Sequence, residues 1–201
     1  MATPKHQRVF IWVIVIVMTV GTLGAYFVMI LANQNGEVPL SDAGTQQQNE
    51  EYQKQLEAYQ KQMEEQAKAN AAASNPIEGY SAEAFDAAGV TSLQKIDLVV
   101  GTGRDVPTGG KVTVSYFGWT PDGKIFDSST KNGVNTPAEG FTLSEGSLIK
   151  GWVDGLPGMK AGGVRKLVIP AEQAYGAAGS PPLIAANTPL MFIVRVESVE
   201  Q

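Results

Sequence analysis

Lys111-Val112-Thr113-Val114-Ser115-Tyr116-Phe117 and Leu190-Met191-Phe192-Ile193-Val194-Arg195-Val196 are the two stretches on which the fold turns. Each alternates. In the first, Val112, Val114 and Tyr116 fall on one side, and in the second Leu190, Phe192, Val194 and Val196 do the same, a period of two that reads as half-buried β-strand. Glycine-rich turns separate these from other short strands. Thr120-Pro121-Asp122-Gly123 is a turn with a mechanism, because Pro presets φ and Gly tolerates positive φ. The middle of the chain offers one short helix, near 147–156, with Trp152 at helical spacing from Leu148 and Leu156. These elements predict an α+β domain, an antiparallel sheet with one small helix packed on it.

Chemistry-bearing residues recur along the same region. They are Tyr116, then Phe126-Asp127-Ser128-Ser129, then Leu148-Ile149-Lys150-Gly151-Trp152, then Ala174-Tyr175-Gly176, with Phe192 in the last strand. The set is aromatic and aliphatic with one acid and no nucleophile beside a base, a composition suited to holding and desolvating a ligand. Taken singly, each ring reads equally well as ordinary core, and Asp127 as an N-cap or turn residue before Ser128-Ser129. A polar Asp127 next to Phe126, and Tyr175 flanked by Ala and Gly, suit a pocket better than a purely structural core.

Five strings in order, from 112–118 through 122–129, 151–162, 165–170 and 174–177, make the region from Gln94 to Glu200 resemble the FKBP-type peptidyl-prolyl isomerases. That resemblance implies a curved antiparallel half-barrel around one short helix. It implies an apolar pocket that binds proline and speeds its cis/trans rotation. Carried over by position, the catalytic set falls on Tyr116, Phe126, Asp127, Trp152, Tyr175 and Phe192, with Leu148, Ile149 and Ile184 binding substrate. In the family the counterpart of Trp152 floors the pocket, and those of the Tyr175 hydroxyl and the Ile149 N–H donate to ligand carbonyls. The resemblance implies proline-containing polypeptides as substrates, macrolide-type inhibitors as ligands, and no cofactor or metal. The chain departs from the family pattern between Asp127 and Phe141, where it is about three residues longer and lacks an aromatic. Ser180 stands for a frequent histidine, and Ala185-Ala186 for common prolines, so the rim differs while the floor is kept.

Several chemistries are excluded. The chain has no cysteine and a single histidine, His6, which removes disulfides, thiolate catalysis and a Ser-His-Asp site in the predicted domain. Gly101-Thr102-Gly103 and Gly109-Gly110-Lys111 match neither a P-loop nor a dinucleotide fingerprint and read as turns. With Lys5 and Arg8 taken from the 15 basic residues, 13 face 20 acidic ones beyond Ala32, a net of −7 that argues against nucleic acid.

The remainder is an appendage. Residues 9–32 form a run of 24 without a charge, about 36 Å as a helix against a hydrocarbon core of about 30 Å. Lys5 and Arg8 precede it, while Glu37, Asp42, Glu50 and Glu51 follow before Lys54. The positive-inside rule predicts a cytoplasmic tail at 1–8, a transmembrane signal anchor at 9–32, and everything beyond it extracytoplasmic. A cleaved signal peptide fits less well, because the apolar run exceeds the usual h-region and Met-Ile-Leu-Ala is a poor cleavage site. Residues 33–75 read as a linker. Within it 33–45 is flexible, and 46–73 is rich in Gln, Glu, Lys and Ala, a helical spacer. There Tyr52, Leu56, Tyr59 and Met63 follow a coiled-coil rhythm for about two heptads. Asn75-Pro76 ends it, and 76–201 is the isomerase-like domain. Three functions follow as expectations: a membrane-anchored isomerase acting on X-Pro bonds of extracytoplasmic proteins, a non-catalytic chaperone or adaptor on the same fold, and a dimerising scaffold built on the helix.

Overall fold

The computed structural model describes residues 42–144 and 146–200. The chain divides into two compact units, Met1–Gln53 and Lys54–Gln201. Of the first, the described part, 42–53, is helical. The expected transmembrane segment at 9–32 lies outside the described residues, and among these no helix is long and apolar enough to cross a membrane.

Helix α1 (Asp42–Ala73) starts four residues before the predicted spacer, inside what reads as flexible linker. Its seam residues Tyr52, Tyr59 and Met63 are exposed. It stops at Ala73 and gives way to a two-residue strand, β1 (Ser74–Asn75). The ordered edge of the sheet structure thus begins at Ser74, just before the predicted start at 76.

The main sheet is antiparallel, in the order β2 (Gln94–Val99), β8 (Val164–Ile169), β9 (Leu190–Val199), β3 (Lys111–Trp119), β4 (Ile125–Ser128), with β7 (Ala138–Thr142) also paired to β3. β3 and β9 run longer than their alternation alone predicts and pair along their whole length, with Gly118 opposite Phe192 and Val114 opposite Val196. A second sheet of three short strands joins β1 to β5 (Thr130–Lys131) and β6 (Val134–Asn135). The turn between β5 and β6 is Asn132-Gly133, both at positive φ (50° and 79°), the pairing that a two-residue hairpin of matching twist requires.

Period-two alternation places the two cores. Val112, Val114, Leu167, Ile169, Leu190, Phe192, Val194 and Val196 point to one face and enclose Trp152 and Leu156. Phe117, Trp119, Val164 and Ile193 point to the other, where residues 77–85 cover them with Ile77, Tyr80, Ala82 and Phe85. Trp119 stacks on Phe117, and its indole N–H donates to the Glu83 carbonyl at 2.9 Å, tying that strap down. Residues 77–85 are therefore one wall of a second core.

The short helix α2 (Lys150–Gly155) is tighter than the predicted 147–156, because Ile149 sits in extended backbone (φ −61°, ψ 144°) and caps it. Its seat on the sheet depends on glycine. A Cβ on Gly151 would stand 2.4 Å from Ile169 Cγ2, and one on Gly155 would stand 2.8 Å from Leu167 Cδ2. Four residues apart, the two glycines lie on one helix face and let α2 sit flush on β8. Buried Arg165 then pins its end. The guanidinium donates to both Asp97 oxygens (2.6 and 3.1 Å) and to the Gly155 carbonyl (2.7 Å). The hydrogen bonding from Arg165 to Asp97 holds the Asp97 carboxyl below the usual carboxylate range, against a smaller opposing effect of burial. An unpaired Gly155 carbonyl here would cost about 1–3 kcal/mol.

Candidate functional site

The inner face of the sheet closes incompletely over α2, leaving a cavity of about 510 Å³. That lies in the range of small-ligand sites. β3 supplies Tyr116, β4 supplies Phe126 and Asp127, and β9 supplies Phe192. The loop into α2 supplies Leu148 and Ile149, α2 itself supplies Trp152, and the loop after β8 supplies Ala174 and Tyr175. Eight of the nine residues marked from sequence thus line a single cavity.

Trp152 is 4% exposed and sits at the centre of a ring cluster. Tyr116, Phe141 and Phe192 approach it edge-on at centroid distances of 5.2, 5.8 and 5.4 Å, and Phe126 meets Phe192 in the same manner at 5.5 Å. Edge-to-face pairs of this kind contribute about 0.5–1.5 kcal/mol each beyond their burial, so the walls are mutually braced. The Trp152 indole N–H is buried and has no hydrogen-bond partner, in contrast to that of Trp119.

The polar groups are few. The Tyr116 hydroxyl donates to Asp127 Oδ2 at 2.6 Å, and Asp127 Oδ1 accepts from the Ser128 N–H at 2.8 Å and from Lys131 at 3.0 Å. Asp127 lies inside β4, not at a helix cap or in a turn, so its local bond to Ser128 coexists with its place in the cavity wall. Burial pushes the Tyr116 phenol well above its ordinary range, with Asp127 adding to the effect. Burial, then Asp127, likewise raises Tyr175. Both phenols therefore stay protonated donors at physiological pH. The Tyr175 hydroxyl and the Ile149 N–H likewise have no hydrogen-bond partner among the described residues, which adds two donors at the cavity to the Trp152 indole N–H.

One predicted residue is elsewhere. Ile184 is 3% exposed, belongs to the inner core, and is not among the lining residues. A tight turn explains the correction: the Ser180 N–H donates to the Ile184 carbonyl (2.8 Å) and the Ile184 N–H to that of Ser180 (3.0 Å), which folds Ile184 inward. Conversely, Phe141 lines the cavity although it marks only the end of the long stretch in the sequence reading. Its pairing on β7, with Phe141 opposite Val112, brings it to Tyr116 and Trp152. The signal was a single aromatic in a five-residue strand, too short to show a period.

Comparison with known proteins finds the sequence similar to prolyl isomerases. A family profile described as FKBP-type peptidyl-prolyl cis-trans isomerase matches residues 103–197. The FK506-binding protein of Neisseria meningitidis serogroup A is similar at 43% identity over 103 residues, 51% of this chain and 92% of that protein. FK506-binding protein 4 of Dictyostelium discoideum is 44% identical over 111 residues, 55% of this chain but 29% of the relative's own length. A crystal structure of a peptidyl-prolyl cis-trans isomerase from Pseudomonas syringae aligns over 54% of this chain and 76% of that one, at 39% identity and a TM-score of 0.48.

Proposed function

The chain belongs to the FKBP-type peptidyl-prolyl cis-trans isomerase family, and from that membership we propose that it catalyses rotation about X-Pro bonds in this cavity. The observation that carries the reading is the cavity itself: six aromatic side chains, one carboxylate, and unpaired donors on Tyr175, Ile149 and Trp152, with no nucleophile set beside a base. Amide rotation needs no covalent step. Its barrier of about 18–20 kcal/mol is the resonance lost on twisting. A dry pocket disfavours the charge-separated resonance form, which the twisted amide has less of, and so favours the twisted state. Trp152 floors the proline ring, with Tyr116, Phe126, Phe141 and Phe192 as walls and Leu148 at the lip. The Tyr175 hydroxyl and the Ile149 N–H hold the flanking carbonyls. Only interactions stronger in the twisted state than in the ground state raise the rate, so placed donors matter more than total grip. Asp127 orients Tyr116 and polarises the wall, without a proton-transfer role.

The full chain in detergent is expected to accelerate isomerisation of a proline-containing peptide above the spontaneous rate. Tyr175→Phe should lower kcat/KM about two- to tenfold, the worth of one hydrogen bond, with Tm unchanged because the ring is 40% exposed. A folded wild type that gives only the spontaneous rate would rule the reading out.

The uncharged run at 9–32 and its basic flank support an anchor with the isomerase outside the cytoplasm, acting on exported polypeptides. Protease added to intact cells that expose their outer membrane face is expected to digest the C-terminal domain while sparing residues 1–8. Protection of the domain until lysis would reverse the orientation.

A further inference from the structure

The stretch from Asp127 to Phe141, which the resemblance marks as longer than usual, has a defined role in the fold. Its hairpin, β5 and β6, receives the end of helix α1. Ser74 pairs with Lys131 and Asn75 with Thr130. The Asn132 N–H donates to the Ala73 carbonyl (2.8 Å), the Gly133 N–H to Asn75 Oδ1 (2.9 Å), and Ser128 Oγ to the Asn75 carbonyl (2.6 Å). Carbonyls at a helix C-terminus have no partner within the helix, and here the hairpin provides one.

Lys131 joins this junction to the cavity. Its ammonium donates to Ser74 Oγ (2.6 Å) and the Asn70 carbonyl (3.3 Å) on one side, and to Asp127 Oδ1 (3.0 Å) on the other. Ser74 Oγ is fixed in turn by donating to the Asn70 carbonyl at 2.9 Å. All three ammonium hydrogens are thereby directed. Asp127 meets the cavity with its other oxygen engaged by Tyr116, so the carboxylate is held between a pocket wall and the last turn of α1. Ser74 and Lys131 do not line the cavity.

We infer that Lys131 is a positioning residue, holding the Asp127 carboxylate on an anchor formed by residues 70–75, so that the junction at the end of α1 tunes the pocket. The inference rests on the isomerase reading for its rate measurements, and peptide affinity gives it an independent readout. A lysine–carboxylate pair with side chains 35% and 46% exposed is a modest interaction, so the effect is a tuning of the site and not its loss.

The experiment is a double-mutant cycle in the full chain, reading both kcat/KM and Kd for one proline-containing peptide. Lys131→Met is expected to weaken both by about threefold to fivefold, the scale of a partly exposed ion pair. Lys131→Arg should restore them to within about twofold, and Ser74→Ala should give a smaller loss of the same kind. In an Asp127→Ala background, Lys131→Met should have no further effect on either, although its effect on Tm remains. The inference is overturned if Lys131→Met shifts Tm alone, or if its effect on the peptide persists without Asp127. A wild type that binds without turnover defeats the isomerase reading while the Kd series still decides this one. A wild type that neither binds nor accelerates overturns both.

Discussion

Replacing Trp152 with alanine is expected to abolish isomerase activity to within about 1% of wild type and to destabilise the domain by about 3–5 kcal/mol. The two losses have separate causes. Trp152 is 4% exposed and braced edge-on by three rings, so truncation removes its burial and leaves a hole that Tyr116, Phe141 and Phe192 cannot all collapse into. In the proposed reading its exposed sliver is the floor on which a proline ring rests. Two decades of rate correspond to about 2.7 kcal/mol. That matches the burial of one large apolar contact. Trp152→Leu separates the effects, since it keeps an apolar side chain in the core but not the flat floor. Urea unfolding should show a smaller cost for leucine than for alanine, while kcat/KM stays low for both. Should the folded alanine variant retain activity within about tenfold of wild type, the indole is core and nothing more, and the floor must be sought among the other rings.

Much of the site was legible because its residues carry local patterns. The inward face of β9 follows from alternation alone, and Phe192 lies on it with Leu190, Val194 and Val196. Tyr116 follows in the same way from Val112 and Val114. What escaped depends on partners distant in sequence. Nothing near Arg165 announces that it will be buried against Asp97 and the end of α2, or that Phe85 and Tyr80 will roof the outer face. Phe141 is brought into the cavity by its pairing with Val112, and Ile184 is withdrawn by a five-residue turn. Asn132-Gly133 is a strong hairpin signal, yet its strands are two residues each and their third partner is the two-residue strand that follows α1. The stretch between Asp127 and Phe141 reads from sequence as rim, and in the fold it also holds the β5–β6 hairpin that pairs with β1.

Gly118→Ala is the sharpest test of how closely the walls are set. Glycine-to-alanine exchange in ordinary backbone usually stabilises, by about 0.4–1 kcal/mol, because it restricts the unfolded chain. Gly118 is the penultimate residue of β3, paired with Phe192 on β9 and Asp127 on β4, with no positive φ to protect. Steric fit alone reverses the sign. A Cβ there would stand 2.4 Å from Phe192 Cε1 and 2.7 Å from Phe126 Cζ, distances that real carbon contacts do not reach. Neither ring is a loose end, since the two meet edge-on at 5.5 Å and Phe192 also abuts Trp152. The methyl must drive them into the cavity or part β3 from its neighbours. We therefore expect destabilisation by about 1–3 kcal/mol, the usual cost of overpacking. We also expect peptide affinity and kcat/KM to fall by about tenfold, since a wall shift of a few tenths of an ångström narrows a site built for one ring. Chemical denaturation and the peptide assay read the two effects. Combining Gly118→Ala with Phe192→Leu should recover part of the stability, because the shorter side chain vacates the space the methyl needs, but not the activity, because a wall of the pocket is gone. An alanine variant as stable as wild type would mean that the rings relax freely, and the braced aromatic cage would no longer account for the shape of the cavity.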